Sequence, residues 1–255
     1  MKLAREDKRN KDVEPLKEIK TQKEYFNDPV LGPPAPWLDT RATEETMDHL
    51  WNNINHSVPG DRIKKKLAGN ILKSYFIQDK DNWLYENVLK SMVEYLWLRE
   101  SWSHYFDIAV AKQRPVPEFR LHELWVNFQK QHEFNPPHFH EAAYSFVVFM
   151  KIPTHWKEQH ALPMNVDSNA PCASDFQFLM GQGDQNPVRT ITFPLGPEDK
   201  GRMLFFPSWL VHAVYPFYGT EEERITVSGN IYLQESTQHK AERLLYGKDS
   251  FQTQK

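Results

Sequence analysis

The order of apolar and polar residues divides the chain into a helical first part and a strand-rich second part. After Thr40, the residues Met47, Leu50, Trp51 and Ile54 recur at the spacing of one helix face, and Pro59-Gly60 ends the run. After Asp81-Asn82, the positions Leu84, Val88, Leu89, Met92, Val93 and Leu96 form a second amphipathic stripe reaching about Leu98. Between them, Asp61 to Asp79 carries Arg62, Lys64, Lys65 and Lys66 ahead of Leu67 to Leu72, which reads as an exposed helix start. Residues 1 to about 24 interleave basic and acidic side chains with few apolar ones, the pattern of a solvated tail or frayed helix. Asp28 to Trp37 is proline-rich and cannot be helical, because proline lacks the amide donor and clashes with the preceding turn. Trp37 and Leu38 are expected to dock it on the body.

From about residue 117 the period changes from 3.6 to 2. Phe119 and Leu121 alternate with polar neighbours, and Leu124, Val126 and Phe128 oppose Trp125, Asn127 and Gln129. Ala143 to Lys151 is a nearly continuous β-branched and aromatic run. Met203 to Phe206, Val211 to Phe217 and Ile225 to Leu233 follow, separated by turn residues. Short strands with turn signals between them predict an antiparallel sandwich or barrel, with the helices packed on its outside. The expected organisation is a charged tail and extended segment (1–38), a helical part (39–116), a β-core (117–235) and a polar C-terminal tail (236–255).

Composition narrows the classes. With 255 residues, 40% of them hydrophobic and 13% aromatic, the chain can bury a sizeable core. A formal charge of -3 from 31 basic and 34 acidic residues leaves no global electrostatic signature for nucleic acid. The single cysteine, Cys172, excludes a disulfide framework and any cysteine-rich zinc site. No apolar run approaches the roughly 20 residues that span a bilayer. The first residues lack the apolar core of a signal peptide, so a reducing cytoplasm is the expected compartment. There are 11 histidines, so a protein-held metal would rest on imidazole and oxygen.

The chemistry concentrates in Asn135-Pro-Pro-His-Phe-His-Glu141. On an extended chain, His138 and His140 point to one face, and both imidazoles can reach one ion. Glu141 points the other way. Alone, such a pair reads as two solvent-facing strand histidines. A third element is Gly201 to His212, a strand, a Pro-Ser turn and then His212 opening the next strand. Twelve residues further, Arg224 heads a polar row with Thr226, Ser228 and Asn230, against an apolar row of Ile225, Val227, Ile231 and Leu233. A polar row headed by arginine suits a barrel with a polar interior pocket.

These motifs resemble the Fe(II)/2-oxoglutarate-dependent oxygenase superfamily. Trp125-Val-Asn127, Asn135 to His140, Ser145 to Phe149, Phe206 to His212 and Arg224 to Asn230 look like the 2OG-Fe(II) oxygenases common in marine bacteriophage genomes. The resemblance covers roughly residues 60 to 235. It implies a double-stranded β-helix, a jelly-roll or cupin-like core. It implies His138, His140 and His212 as metal ligands, and Fe(II), 2-oxoglutarate and O2 as cofactor and co-substrates. Arg224 would bind the C5 carboxylate of 2-oxoglutarate, assisted by Thr226. Asn127, Ser145 and, more weakly, Asn230 are candidates for the same pocket. The implied reaction is oxidative decarboxylation of 2-oxoglutarate coupled to oxidation of a substrate, a small molecule or a side chain, with hydroxylation as the expected outcome. A phage-encoded protein would work in the host cytoplasm.

The departure is His140, where the superfamily usually places Asp or Glu, although H-x-H is an accepted form within the phage-type group. The site is then one negative charge short, and three imidazoles also suit Zn, Ni, Cu and Mn. Two alternatives stay open: a non-catalytic jelly-roll binding or virion-associated module, and a cupin-like three-histidine enzyme without 2-oxoglutarate. His122, His132, His155 and His160 read as surface or packing residues, and Trp156 and Trp209 as core or rim aromatics. Asp175 and Asp184 read as solvated acids in a turn-rich stretch, Pro171 to Pro187, with the form of a lid. Cys172 reads as a passive thiol.

Overall fold

The computed structural model describes residues 36–56, 68–99, 117–181 and 188–235. Strands β1 (Leu38–Arg41) and β2 (Lys73–Phe76) precede β3 (Pro117–Gln129), β4 (Asn135–His138) and β5 (Tyr144–Lys151). Then come β6 (Phe176–Met180), β7 (Arg189–Phe193), β8 (Arg202–Pro207), β9 (Val211–Val214) and β10 (Arg224–Glu235). They form a six-stranded sheet, β1-β8-β5-β10-β3-β2, and a four-stranded sheet, β4-β9-β6-β7. Every pairing is antiparallel. From β3 onward the chain switches sheet at each step except the β6–β7 hairpin. That path is a double-stranded β-helix, as the sequence resemblance implied.

Period-2 alternation gives the large sheet two apolar faces. Met203 and Phe205 of β8 face outward with Phe146 and Val148 of β5 and Val227 of β10, in a core shared with the helices. Leu204 and Phe206 face inward with Val147 and Phe149, against Phe176, Phe178 and Phe193 of the small sheet. The apolar row of β10 is therefore covered, with Ile225, Val227 and Ile231 all buried; only Leu233 is exposed. Each fully buried side chain of this size stabilises the fold by about 1.5–3 kcal/mol before entropy is counted. The phase change in β3, from odd apolar positions at Phe119 and Leu121 to even ones at Leu124 and Val126, has a cause. Asn230 pairs with Glu123 and Ile231 with Leu121, so His122 is an inserted residue that flips the strand.

Both predicted helices form. Helix α1 (Glu44–Asn55) starts at Thr43, whose hydroxyl accepts from the Thr46 amide, with Glu44 and Glu45 in the first turn. The second stripe forms a π-helical turn (Tyr85–Leu89) continuing into α2 (Lys90–Arg99), and all six stripe residues are buried. Asp79 accepts from the Leu84 and Tyr85 amides at its start. None of these helices is long and apolar enough to cross a membrane.

Some expectations differ. The part before the β-core is not purely helical, because β1 and β2 join the two edges of the large sheet. Trp37 docks as expected, at 5.2 Å from the Phe178 ring, but Leu38 begins a strand paired to β8. The basic cluster at 62–66 and the helix start before Leu67 lie outside the described residues, and the chain beyond them enters β2 rather than a helix. The stretch from Pro171 to Pro187 is not all turn: it contains β6, which pairs with both β7 and β9. Asp184 lies outside the described residues. A short helix, α3 (Trp156–His160), follows β5.

Candidate metal and co-substrate site

The three histidines come together through one cross-strand pair and one loop. His138 ends β4 and is directly opposite His212 of β9, with ring centroids 4.2 Å apart. His140 lies two residues beyond β4, and its amide donates to the Ser208 carbonyl at 2.9 Å. Its ring sits 5.1 Å from His138 and 5.2 Å from His212. One ligand nitrogen from each ring lies within 4.8 Å of the others. Phe139, between the two, turns outward and is 60% exposed, as alternation predicts. Pro136 and Pro137 are tolerated because β4 is a sheet edge, where missing amide donors break no ladder.

The rings are pre-set for a metal. His138 Nδ1 bonds the Pro136 carbonyl at 2.7 Å, and His212 Nδ1 bonds the Leu210 carbonyl at 3.0 Å. A carbonyl can only accept, so each Nδ1 carries the proton and each Nε2 keeps its lone pair. Phe176 stacks on His212 at 5.8 Å, and Phe206 meets it edge-on at 4.9 Å. Burial lowers the pKa of all three. His138 is lowered despite its carbonyl bond, and His140 falls to about 4, with His138 adding to the effect. His212 falls well below the ordinary histidine value, again with His138 adding. All three are neutral at pH 7, the form that ligates. This donor set fits a divalent transition metal.

The polar row of β10 faces the same interior. Thr226 and Ser228 line one cavity with the three histidines, Trp125, Asn127, Gln129 and Ser145. Several of these groups are already bonded to one another. Asn127 accepts from Ser74 Oγ and donates to Thr226 Oγ1, and Ser145 Oγ meets both Ser208 Oγ and Asn230 Oδ1. Asn230 in turn donates to Glu123. Trp125 is different: it is 4% exposed, it stands edge-on to His140 at 5.9 Å, and its indole N–H has no partner.

Arg224 opens β10, opposite Gln129, and is 0% exposed. Its Nη2 donates to the Ser174 carbonyl at 2.8 Å and to the Ser174 hydroxyl, and its guanidinium lies 5.0 Å from the Phe217 ring. Nε and Nη1 are buried with no partner. Burial lowers its pKa to about 10, with nearby Asp175 acting the other way, so it remains a cation at pH 7. Among the described residues no carboxylate reaches ion-pair distance of it. A buried cation with free N–H groups fits an anionic ligand oxygen, and a carboxylate matches that need.

Sequence reasoning placed all three histidines, Arg224 and the Asn127, Ser145, Thr226 and Asn230 row inside the barrel; the three histidines, Asn127, Ser145 and Thr226 line one cavity, and Arg224 and Asn230 lie on β10, the strand that supplies Thr226. It missed three neighbours. Ser174 holds Arg224 from a left-handed backbone (φ 72°). Asp175 is 0% exposed rather than solvated, and burial pushes its carboxyl up to about 8 while Arg224 opposes the shift. His160 packs onto Asp175, its Nε2 3.0 Å from both carboxylate oxygens. The only available signal was Phe176 to Met180, whose aromatic texture marks a buried strand directly after Asp175.

Residues 123–230 match the family model described as "Putative 2OG-Fe(II) oxygenase". That segment is therefore similar to a 2OG-Fe(II) oxygenase domain. Proteins of that family use Fe(II), 2-oxoglutarate and O2, a set the three-histidine cluster of this chain fits. A search among curated proteins found no match. Solved structures similar to this chain include a Pseudomonas putida prolyl-4-hydroxylase (11% identity, 79% of this chain and 93% of that one, TM-score 0.43). Another is the Trichoplax adhaerens prolyl hydroxylase in complex with a hypoxia inducible factor peptide (12% identity, 84% and 88%, TM-score 0.41). A third is the viral collagen prolyl hydroxylase of Paramecium Bursaria Chlorella virus-1 with 2-oxoglutarate (12% identity, 77% and 96%, TM-score 0.40).

Proposed function

We propose that the protein is an Fe(II)- and 2-oxoglutarate-dependent dioxygenase that hydroxylates a small molecule or a side chain. The observation that carries this reading is Arg224, a fully buried cation with two unpartnered nitrogens on the strand lining the three-histidine cavity. His138, His140 and His212 would hold the metal, and Arg224 would hold the C5 carboxylate through Nε and Nη1. Thr226 accepts from Asn127, which leaves its hydroxyl hydrogen to donate to the same carboxylate. Asn127 and Ser145 line the pocket, and each bonds a β10 side chain, Thr226 and Asn230 respectively. When bound, Fe(II) supplies the chemistry that couples loss of CO2 from 2-oxoglutarate to substrate oxidation with O2. Phe176 and Phe206 flank His212 and exclude water from that side.

The test is anaerobic loading with Fe(II), then O2 and labelled 2-oxoglutarate. Formation of labelled succinate, even without added substrate, is expected. No succinate from metal-replete protein would overturn the reading. Phe139 and Trp209, 60% and 57% exposed on adjoining loops linked by the His140–Ser208 bond, mark the rim where substrate would first dock.

A further inference from the structure

Behind Arg224 stands a second polar unit that the metal and co-substrate roles leave unused. Ser174 takes both hydrogens of Nη2. The next residue, Asp175, is 0% exposed, with its amide bonded to the Cys172 carbonyl and its carbonyl bonded to the Tyr215 amide. Its carboxylate is bridged by His160 Nε2, whose side chain keeps 15% exposure and so connects the buried acid to solvent. The titratable groups facing Asp175 are His160 from α3, Cys172 before β6, Tyr215 after β9 and Arg224 of β10. Burial and Asp175 itself raise Cys172 and Tyr215, so both are neutral near pH 7.

The charge balance follows. Among the described residues, the acid that acts on the Arg224 cation is Asp175, whose buried carboxyl is ionised above about pH 8. A carboxylate arriving at Nε and Nη1 takes over that compensation. Asp175 would then be a second anion with no exposure to water, which is costly. We propose that binding of 2-oxoglutarate at Arg224 is accompanied by uptake of one proton from solvent onto the His160–Asp175 pair, which makes these residues positioning partners of Arg224. No bond of the ligand breaks: one proton leaves water and resides on the Asp175 carboxyl or the His160 ring. The proposal rests on the reading of Arg224 as the carboxylate anchor.

The experiment is calorimetric titration of the full-length Mn(II)-loaded protein with 2-oxoglutarate, in paired buffers of different ionisation enthalpy, from pH 7 to 9. With the Asp175 carboxyl titrating at about 8 before binding, uptake should be about half a proton at pH 8 and approach one at pH 9. The affinity should fall by up to about fivefold from pH 8 to 9. Asp175→Asn should bind without proton uptake and with affinity flat over this range, a pH profile that a merely structural role would not change. Buffer-independent heats for the wild type across the range, or uptake that persists in Asp175→Asn, would overturn the proposal. If that variant does not fold, the wild-type proton count decides alone. If the wild type binds no 2-oxoglutarate, or Arg224→Met binds it as tightly as wild type, the anchor reading itself fails and takes this proposal with it.

Discussion

Replacing Arg224 with methionine should separate binding from stability with opposite signs. In the ligand-free protein the guanidinium is 0% exposed and only Nη2 is hydrogen-bonded. Burial lowers its pKa from 12.5 to about 10, so below pH 10 the folded state carries a desolvation cost of about 3 kcal/mol, present in full at pH 7. Methionine fills a similar volume without charge. It removes that cost and forfeits the bonds to Ser174, worth about 1–3 kcal/mol together. The Ser174 hydroxyl keeps Thr154 at 3.3 Å, which limits the loss. The net change in the apo protein should lie between zero and about 2 kcal/mol of stabilisation, or a Tm equal to or up to about 8 °C above wild type. Loss of a charged anchor should meanwhile weaken 2-oxoglutarate about 30-fold or more, at about 2–5 kcal/mol. Thermal unfolding of the Mn(II)-loaded variant, with and without 2-oxoglutarate, reads both. An apo Tm more than about 3 °C below wild type, or a 2-oxoglutarate shift as large as that of wild type, would refute the reasoning.

Gly229→Ala tests the packing of β10: the new Cβ would sit 2.6 Å from Phe146 Cε1 and 2.7 Å from the Glu123 carbonyl oxygen, so denaturant unfolding should show a loss of about 1–3 kcal/mol. Asp175→Asn should raise stability in a pH-dependent way. The Asp175 carboxyl is raised from 3.8 to about 8 in the fold, so its penalty is absent below pH 3.8, grows between 3.8 and about 8, and is constant above. The gain in Tm should therefore be larger at pH 8 than at pH 4.5. His138→Ala and His212→Ala should each lose stoichiometric metal by elemental analysis, whereas His140→Asp, which restores a carboxylate, should retain it.

What the sequence made legible follows a physical rule. His138, His140, His212 and Arg224 lie on strands or directly beside them, where period 2 fixes which way a side chain points. Their convergence could be read once the strands were placed. The missed features depend on tertiary contact. β1 and β2 have only four residues each, and their strand character comes from lying against β8 and β3. The His122 insertion shows in the sequence as a phase change but acquires its meaning only from pairing with β10. Ser174 and Asp175 sit in a turn whose composition says solvent. Their burial is imposed by the Pro216 carbonyl and the Tyr215 amide, about 40 residues away.

The electrostatics connect these parts. Three neutral imidazoles donate lone pairs but no charge, so a divalent ion there keeps its full +2. Arg224 adds one more positive charge in the same interior. A carboxylate ligand at position 140 would have lowered this total by one, so the three-histidine form raises the positive potential that meets the co-substrate dianion. Above about pH 8, where Asp175 is ionised, the same surplus faces a second anion behind Arg224, which the proposed proton uptake would quench. On this reading, His140 at the metal and Asp175 behind the arginine are opposite adjustments of one local charge, the first raising the attraction for a dicarboxylate and the second making that attraction depend on pH.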